Sequence, residues 1–135
     1  MAQPTQPTEY VAVTIERPAR EVYAYASDPA HLSAWAAGLA ATLEEVDGRW
    51  VADTPDGRMS VAFAPANPFG VADHVITLPG GEVVEVPMRV VPNGDGCDVV
   101  FSLRRPPTMT DDELARDRAA VQADLDTLKR LLEAR

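Results

Sequence analysis

Residues 110–135 read TDDELARDRAAVQADLDTLKRLLEAR. Thr110 followed three residues later by Glu113 is a capping box, in which hydroxyl and carboxylate satisfy two orphan backbone donors reciprocally. Asp111, Asp112 and Glu113 fill the first turn, and Lys129, Arg130 and Arg135 lie near the end, both favourable to the helix dipole. Asp112 with Arg116, and Asp126 with Arg130, stand at i,i+4 spacing on the solvent side. Leu114, Val121, Leu125, Leu128 and Leu132 form one apolar stripe. Some 25 residues at about 1.5 Å each reach roughly 37 Å, the length of a small domain. Such a helix needs a large apolar surface to lie against, and the rest of the chain must supply it.

Residues 40–104 supply it as a meander. Asp47-Gly48 signals a two-residue hairpin. Thr54-Pro55-Asp56-Gly57, residues 65–70, Pro79-Gly80-Gly81 and Pro92-Asn93-Gly94-Asp95-Gly96 are further reversals. Between them lie six apolar, β-branched runs, 41–46, 49–53, 58–64, 71–78, 82–91 and 97–104, which short loops make antiparallel neighbours. Upstream, 10–16 alternates as a strand with Val11, Val13 and Ile15 on one face. Pro18 suits the first turn of a short helix running to about Ser27. Asp28-Pro29 restarts a second helix with Leu32, Trp35 and Leu39 on one face and Gly38 at its end. Residues 1–8 carry no apolar period and read as a disordered tail, leaving 9–135 as one domain. The order strand, two helices, six strands, helix is α+β: a seven-stranded curved antiparallel sheet around a long C-terminal helix.

The chain has 135 residues, with 12 Lys and Arg against 21 Asp and Glu, a formal charge of −9. That balance disfavours nucleic acid and anionic lipid surfaces as partners. One cysteine, Cys97, excludes an internal disulfide and a multi-cysteine zinc site. Two histidines in different regions make no metal site, and no cofactor is expected. No apolar run nears the ~20 residues of a membrane span, and 1–10 is no secretory signal, so a cytoplasmic monomer or weak homodimer without stable membrane association is expected.

Alternation assigns the inward faces: Met59, Val61 and Phe63; Val84, Val86, Met88 and Val90; Val99, Phe101 and Leu103; Ala72, His74, Ile76 and Leu78. If the space beneath the sheet is open, Trp35, Met59, Val61, Phe63, Ile76, Val86, Met88, Phe101 and Val121 are ligand walls, and otherwise core. His74 either orients a ligand carbonyl or phenol, or shuttles a proton, or is a satisfied histidine near a sheet edge. Asp73 faces the other way. Arg118 and Asp117 interrupt the helix stripe, and Arg118 either binds a ligand carboxylate or phosphate or lays its stem over apolar surface. Gln122, one turn on, faces the same alternatives. Trp35 closes one end, its indole N–H expected to find a partner. Cys97 reads as packing.

Ile15-Glu16-Arg17-Pro18-Ala19 with Glu21-Val22-Tyr23, Asp28-Pro29 with Trp35, and Val121, Asp124-Leu125 and Leu128-Lys129 resemble the helix-grip (SRPBCC) superfamily. It includes START-like lipid-binding domains, birch-pollen-allergen proteins, aromatic polyketide cyclases and heat-shock-ATPase activators. The chain is most similar to small bacterial polyketide-cyclase-like members. Low lysine with high alanine and arginine suggests a high-GC bacterial source. The resemblance implies a small hydrophobic ligand, aromatic, polyketide or lipid-like, between sheet and C-terminal helix. Two other readings stand beside that carrier or sensor. One is a cyclase or aromatase with His74 as proton shuttle and Arg118 or Tyr23 steadying an enolate oxygen. The other is an interaction protein of the ATPase-activator kind. No dedicated catalytic motif of the cyclases is present.

Overall fold

The computed structural model describes residues 3–37 and 43–135. The order is β1 (Thr8–Ile15), α1 (Ala19–Ala26), a 3-10 turn (Pro29–His31), α2 (Leu32–Trp35), β2 (Glu44–Val46), β3 (Arg49–Thr54), β4 (Gly57–Phe63), β5 (His74–Thr77), β6 (Val83–Val86), β7 (Met88–Asn93), β8 (Gly96–Arg104) and α3 (Asp111–Glu133). Gly38 and Leu39, expected to end and to line the second helix, lie outside the described residues, as does the start of the strand expected at 41.

Local chemistry sets most boundaries. Thr110 Oγ1 accepts from Glu113 N at 3.1 Å, while Glu113 Oε1 accepts from Thr110 N at 3.0 Å, completing the capping box. Neither expected ion pair, Asp112 with Arg116 or Asp126 with Arg130, forms; Asp126 accepts from Gln122 and Arg130 donates to Thr127. Asp47 and Gly48 both take positive φ, 53° and 78°, which is what a tight hairpin between β2 and β3 requires. Pro18 stands just before α1, where its carbonyl accepts from Glu21 N and Val22 N. Asp28 Oδ1 caps the next turn through Ala30 N at 2.9 Å. β1 begins inside the segment read as a tail: Thr8 pairs with Arg104, and Pro7 O accepts from Arg105 N.

Among the described residues the strands number eight, in a three-stranded sheet ordered β1-β8-β7 and a five-stranded sheet ordered β2-β3-β4-β5-β6. The run 82–91, expected as one strand, breaks at Pro87, which has no N–H to give to a ladder. Before the break it pairs with β5, His74 opposite Val86; after it, with β8, Met88 opposite Phe101. Residues just ahead of β5 keep the two sheets joined. Ala72 N donates to Met88 O, Val90 N donates to Gly70 O, both at 2.9 Å, and Val71 bridges Arg89. Among the described residues all pairing is antiparallel, and Met59, Val61, Phe63, His74, Ile76, Val84 and Val86 share one face as expected, while Leu78 lies beyond the β5 ladder.

The core lies between the concave face and the C-terminal half of α3. Ile15, Met88, Val99, Leu125, Leu128 and Leu132 are all 0% exposed, with Val22, Leu32 and Trp35 closing the end. Glu133 Oε2 accepts from Glu16 N and from Lys129 Nζ, Lys129 Nζ also donates to Thr14 O, and Ala37 N donates to Asp124 Oδ1. These bonds pin the end of α3 over the end of β1 and beside α2.

Candidate functional site

Burial is graded along α3. Its C-terminal half is sealed, but Leu114 is the only residue of its first ten that is buried; residues 115–120 are all exposed, and Val121 and Gln122 are half-buried. The wall shows the same gradient. Val90 and Val99 are sealed, whereas Phe101 and Leu103, further along the same face of β8, are half-buried. Trp50, Phe63 and Ile76 also face inward and stay half-buried, and inward-facing Val84 is 39% exposed. The inward-facing apolar surface at this end of the sheet is therefore left partly exposed, as an apolar trough.

His74 is the polar side chain of this wall. It is 6% exposed and shares its face with Phe63 and Val86, its neighbours on β4 and β6. Its position follows from the break at Pro87. In a regular ladder Ala72 and Met88, facing each other, would exchange two bonds. Ala72 N donates to Met88 O, but Met88 N donates to Asp73 Oδ1 at 2.9 Å instead. The released Ala72 carbonyl accepts from His74 Nδ1 at 3.1 Å. The imidazole also packs on Phe63, centroids 4.7 Å apart and planes tilted by 38°. Nδ1 carries the proton, because a carbonyl only accepts. Burial holds the imidazole below its ordinary pKa, against the smaller opposing pulls of the Ala72 carbonyl and of Asp73, and so favours the neutral ring. Nε2 bonds no protein group and is not among the fully buried unpartnered atoms.

Asp73 points to the convex side, as expected. Its carboxylate accepts from Arg89 Nε and Nη2, each at 2.9 Å, and is held below the usual carboxylate range chiefly by that guanidinium. A dent of about 350 Å³ also touches Phe63, His74 and Val86, but its other members, Ala62, Ala64, Asp73, Val75, Glu85 and Pro87, belong to neighbouring positions on the same strands. The outward register of Ala62, Val75 and Glu85 puts it on the convex side. It contains no residue of α3, so it is not the trough.

The other candidates divide. Met59, Val61, Val86 and Met88 are buried wall, and Phe63, Ile76, Phe101 and Val121 line the half-open part. Trp35 is core: it is 4% exposed, and its Nε1 is the one buried side-chain N or O atom among the described residues with no partner, against the expectation. Arg118 is not free for an anion. Its Nε and Nη2 grip both oxygens of Glu9 at 2.5–2.9 Å. Gln122 Nε2 donates to Asp126 Oδ1 at 3.0 Å, on the exposed side. The Tyr23 hydroxyl accepts from Asn67 N at 3.1 Å and braces the loop between β4 and β5. Cys97 is 0% exposed, its thiol pushed up to about 11 first by burial and then by Asp98, and is inert packing. Glu9 was missed by the sequence reading, although it has the same parity as Val11 and stands opposite Leu103 on the inner face. Trp50 and Val84 were missed as trough walls. Among the described residues no group of three or more His, Cys, Asp or Glu could hold a metal ion, and no helix is long and apolar enough to cross a membrane.

The fold is shared with solved structures. DynU16, a putative protein of the dynemicin biosynthetic locus, superposes with a TM-score of 0.66 at 19% identity over 93% of this chain. This chain spans only 47% of that one. Ara h 8.0201 matches with a TM-score of 0.65 at 14% identity, covering 96% of this chain and 99% of the other. Protein MLL2253 of Mesorhizobium loti matches with a TM-score of 0.68 at 13% identity, covering 95% and 98%. These likenesses concern the fold. No functionally curated protein matches the chain. The family described as polyketide cyclase / dehydrase and lipid transport matches residues 8–133, from the first strand to the last turn of α3. The chain belongs to that family of polyketide cyclases, dehydrases and lipid-transport proteins.

Proposed function

We propose that this protein binds a small hydrophobic molecule, aromatic, polyketide or lipid-like, in the open half of the groove between α3 and the concave face. The observation that carries the reading is the row of inward-facing apolar side chains, Trp50, Phe63, Ile76, Val84 and Phe101, left partly exposed, together with a first half of α3 that buries only Leu114. A concave, mostly apolar surface with few polar groups is what a small-molecule site requires. Burying those side chains against a ligand contributes about 25 cal/mol per Å² of apolar area removed from water. Family membership favours the same ligand class.

Catalysis of the cyclase kind is the less supported reading. Besides a base at His74 it needs a donor to hold an enolate oxygen. Arg118 is held by Glu9, and the Tyr23 hydroxyl, though still able to donate, is fixed at the loop between β4 and β5, where it accepts from Asn67. An interaction role through the surface has no observation of its own to support it.

The test is amide and methyl NMR of the full chain titrated with a panel of substituted naphthalenes and acyl chains. Shifts should gather at Phe63, Ile76, Phe101 and Val121. A panel that leaves all four unmoved would reject the reading.

A further inference from the structure

Resting on the reading that the trough holds a small hydrophobic molecule, we propose that His74 selects among such molecules. It favours those that present a hydroxyl or another hydrogen-bond donor to Nε2, over those that offer only a carbonyl or ether there.

The argument is one of valence and geometry. Neutral imidazole has one donor nitrogen and one acceptor nitrogen. Nδ1 faces the Ala72 carbonyl at 3.1 Å and must be the donor. Nε2, at the far end of the ring, is then an acceptor. Met88 N is taken by Asp73 Oδ1, beside the proline that cannot pair, so Ala72 O faces His74 without a ladder partner. The tautomer is thus fixed by backbone on one side, and Phe63 holds the ring plane. Among the apolar side chains Phe63, Ile76 and Val86, an acceptor with no protein partner discriminates by what it is offered. A ligand O–H completes it, whereas a carbonyl or ether oxygen meets lone pair with lone pair and loses its own hydration without return. Desolvation of the ring acts in the same sense, keeping Nε2 unprotonated near neutral pH.

The experiment compares 2-naphthol, 2-methoxynaphthalene and 2-acetylnaphthalene in fluorescence titrations of the full chain and of two variants. Asparagine in His74→Asn retains an amide able to donate to Ala72 O but has nothing at the Nε2 position; His74→Phe removes both nitrogens. The native protein should prefer 2-naphthol roughly tenfold. The preference should fall to about unity in both variants, with 2-methoxynaphthalene bound as before. Long-range proton–nitrogen NMR of the native protein, which needs no variant to fold, should show the Nδ1–H tautomer. The Nε2 signal should move with 2-naphthol and not with the ether. Equal affinity of the native protein for all three, a preference that survives in the variants, or an Nε2–H tautomer would overturn the role of His74 and leave the trough as a binding site. Failure of all three to bind, with no shift at Phe63 or Phe101, would remove both.

Discussion

Asp73→Ala tests how the break at Pro87, and with it the placing of His74, is held. Met88 is 0% exposed, and its N–H reaches only Asp73 Oδ1, at 2.9 Å. Alanine there leaves a buried donor unsatisfied, a cost of about 1–3 kcal/mol. It also ends the ion pair with Arg89, but those side chains are 53% and 35% exposed, and such pairs contribute at most ~1 kcal/mol. The expected loss is about 2–3 kcal/mol. Arg89→Met removes the ion pair alone and should cost about 1 kcal/mol or less. Asp73→Asn keeps an acceptor for Met88 N and should fall between the two. The ranking differs from the causes of the depressed Asp73 pKa, where Arg89 comes first, because a pKa compares only the charged and neutral carboxyl. Stability also counts the orphaned amide. Since the folded pKa lies below the unfolded value of about 3.9, the carboxylate's contribution is whole above that pH and fades as pH falls through the folded value. The gap between native protein and Asp73→Ala should therefore narrow in acid. Urea unfolding followed by Trp35 and Trp50 fluorescence reads all three variants, with a shifted midpoint at constant slope. Asp73→Ala no worse than Arg89→Met would refute the account of the break.

Three further outcomes follow from the same structure. Arg118→Ala should lower stability by at most about 1 kcal/mol, its partner being half-exposed Glu9, and leave 2-naphthol affinity within twofold; a tenfold loss in the titration would make Arg118 a ligand contact. Gly70→Ala should destabilise by at least about 2 kcal/mol in thermal melts, since φ is 73° and a Cβ would stand 2.1 Å from Val90 O; a native-like melt would show that the β5–β7 junction is not close-packed. Cys97, with its thiol pushed up to about 11, should resist a thiol reagent at pH 8 and react at the rate of global opening; immediate stoichiometric labelling would contradict its burial.

Fold was more legible in the sequence than site, for reasons visible in particular residues. Thr110 with Glu113, and Asp47 with Gly48, are local signals whose outcome depends on a few neighbouring backbone groups. Alternation likewise put His74, Ile76 and Val86 on one face, because a one-residue slip would expose an apolar set. Pro87 was on view inside an apolar run, but its effect needed the strand opposite: only pairing shows that Asp73 takes Met88 N and frees Ala72 O for His74. Arg118 could not be placed from its own helix, because Glu9, its partner, is 109 positions away in the chain. The orphaned indole N–H of Trp35 had no local sign at all.

The interruption of the α3 stripe at Asp117 and Arg118 marks where one helix changes task. Beyond it, Leu125, Leu128 and Leu132 are 0% exposed and hold the sheet's closed end. On either side of it, Ala115, Ala119 and Ala120 offer no side chain long enough to fill the space, and the helix is held there by buried Leu114 and by ion pairs, Arg118 with Glu9 and Arg105 with Asp111. A continuous leucine stripe would have drawn the whole helix onto the wall and stabilised the fold further by several buried side chains, each contributing roughly 1.5–3 kcal/mol. The chain forgoes that packing at one end only, while His74 on the inward face keeps an acceptor nitrogen without a protein partner. A hydrophobic molecule that carries a hydroxyl would cover the exposed apolar surface and bond Nε2 in the same step, which neither water nor a purely apolar molecule does.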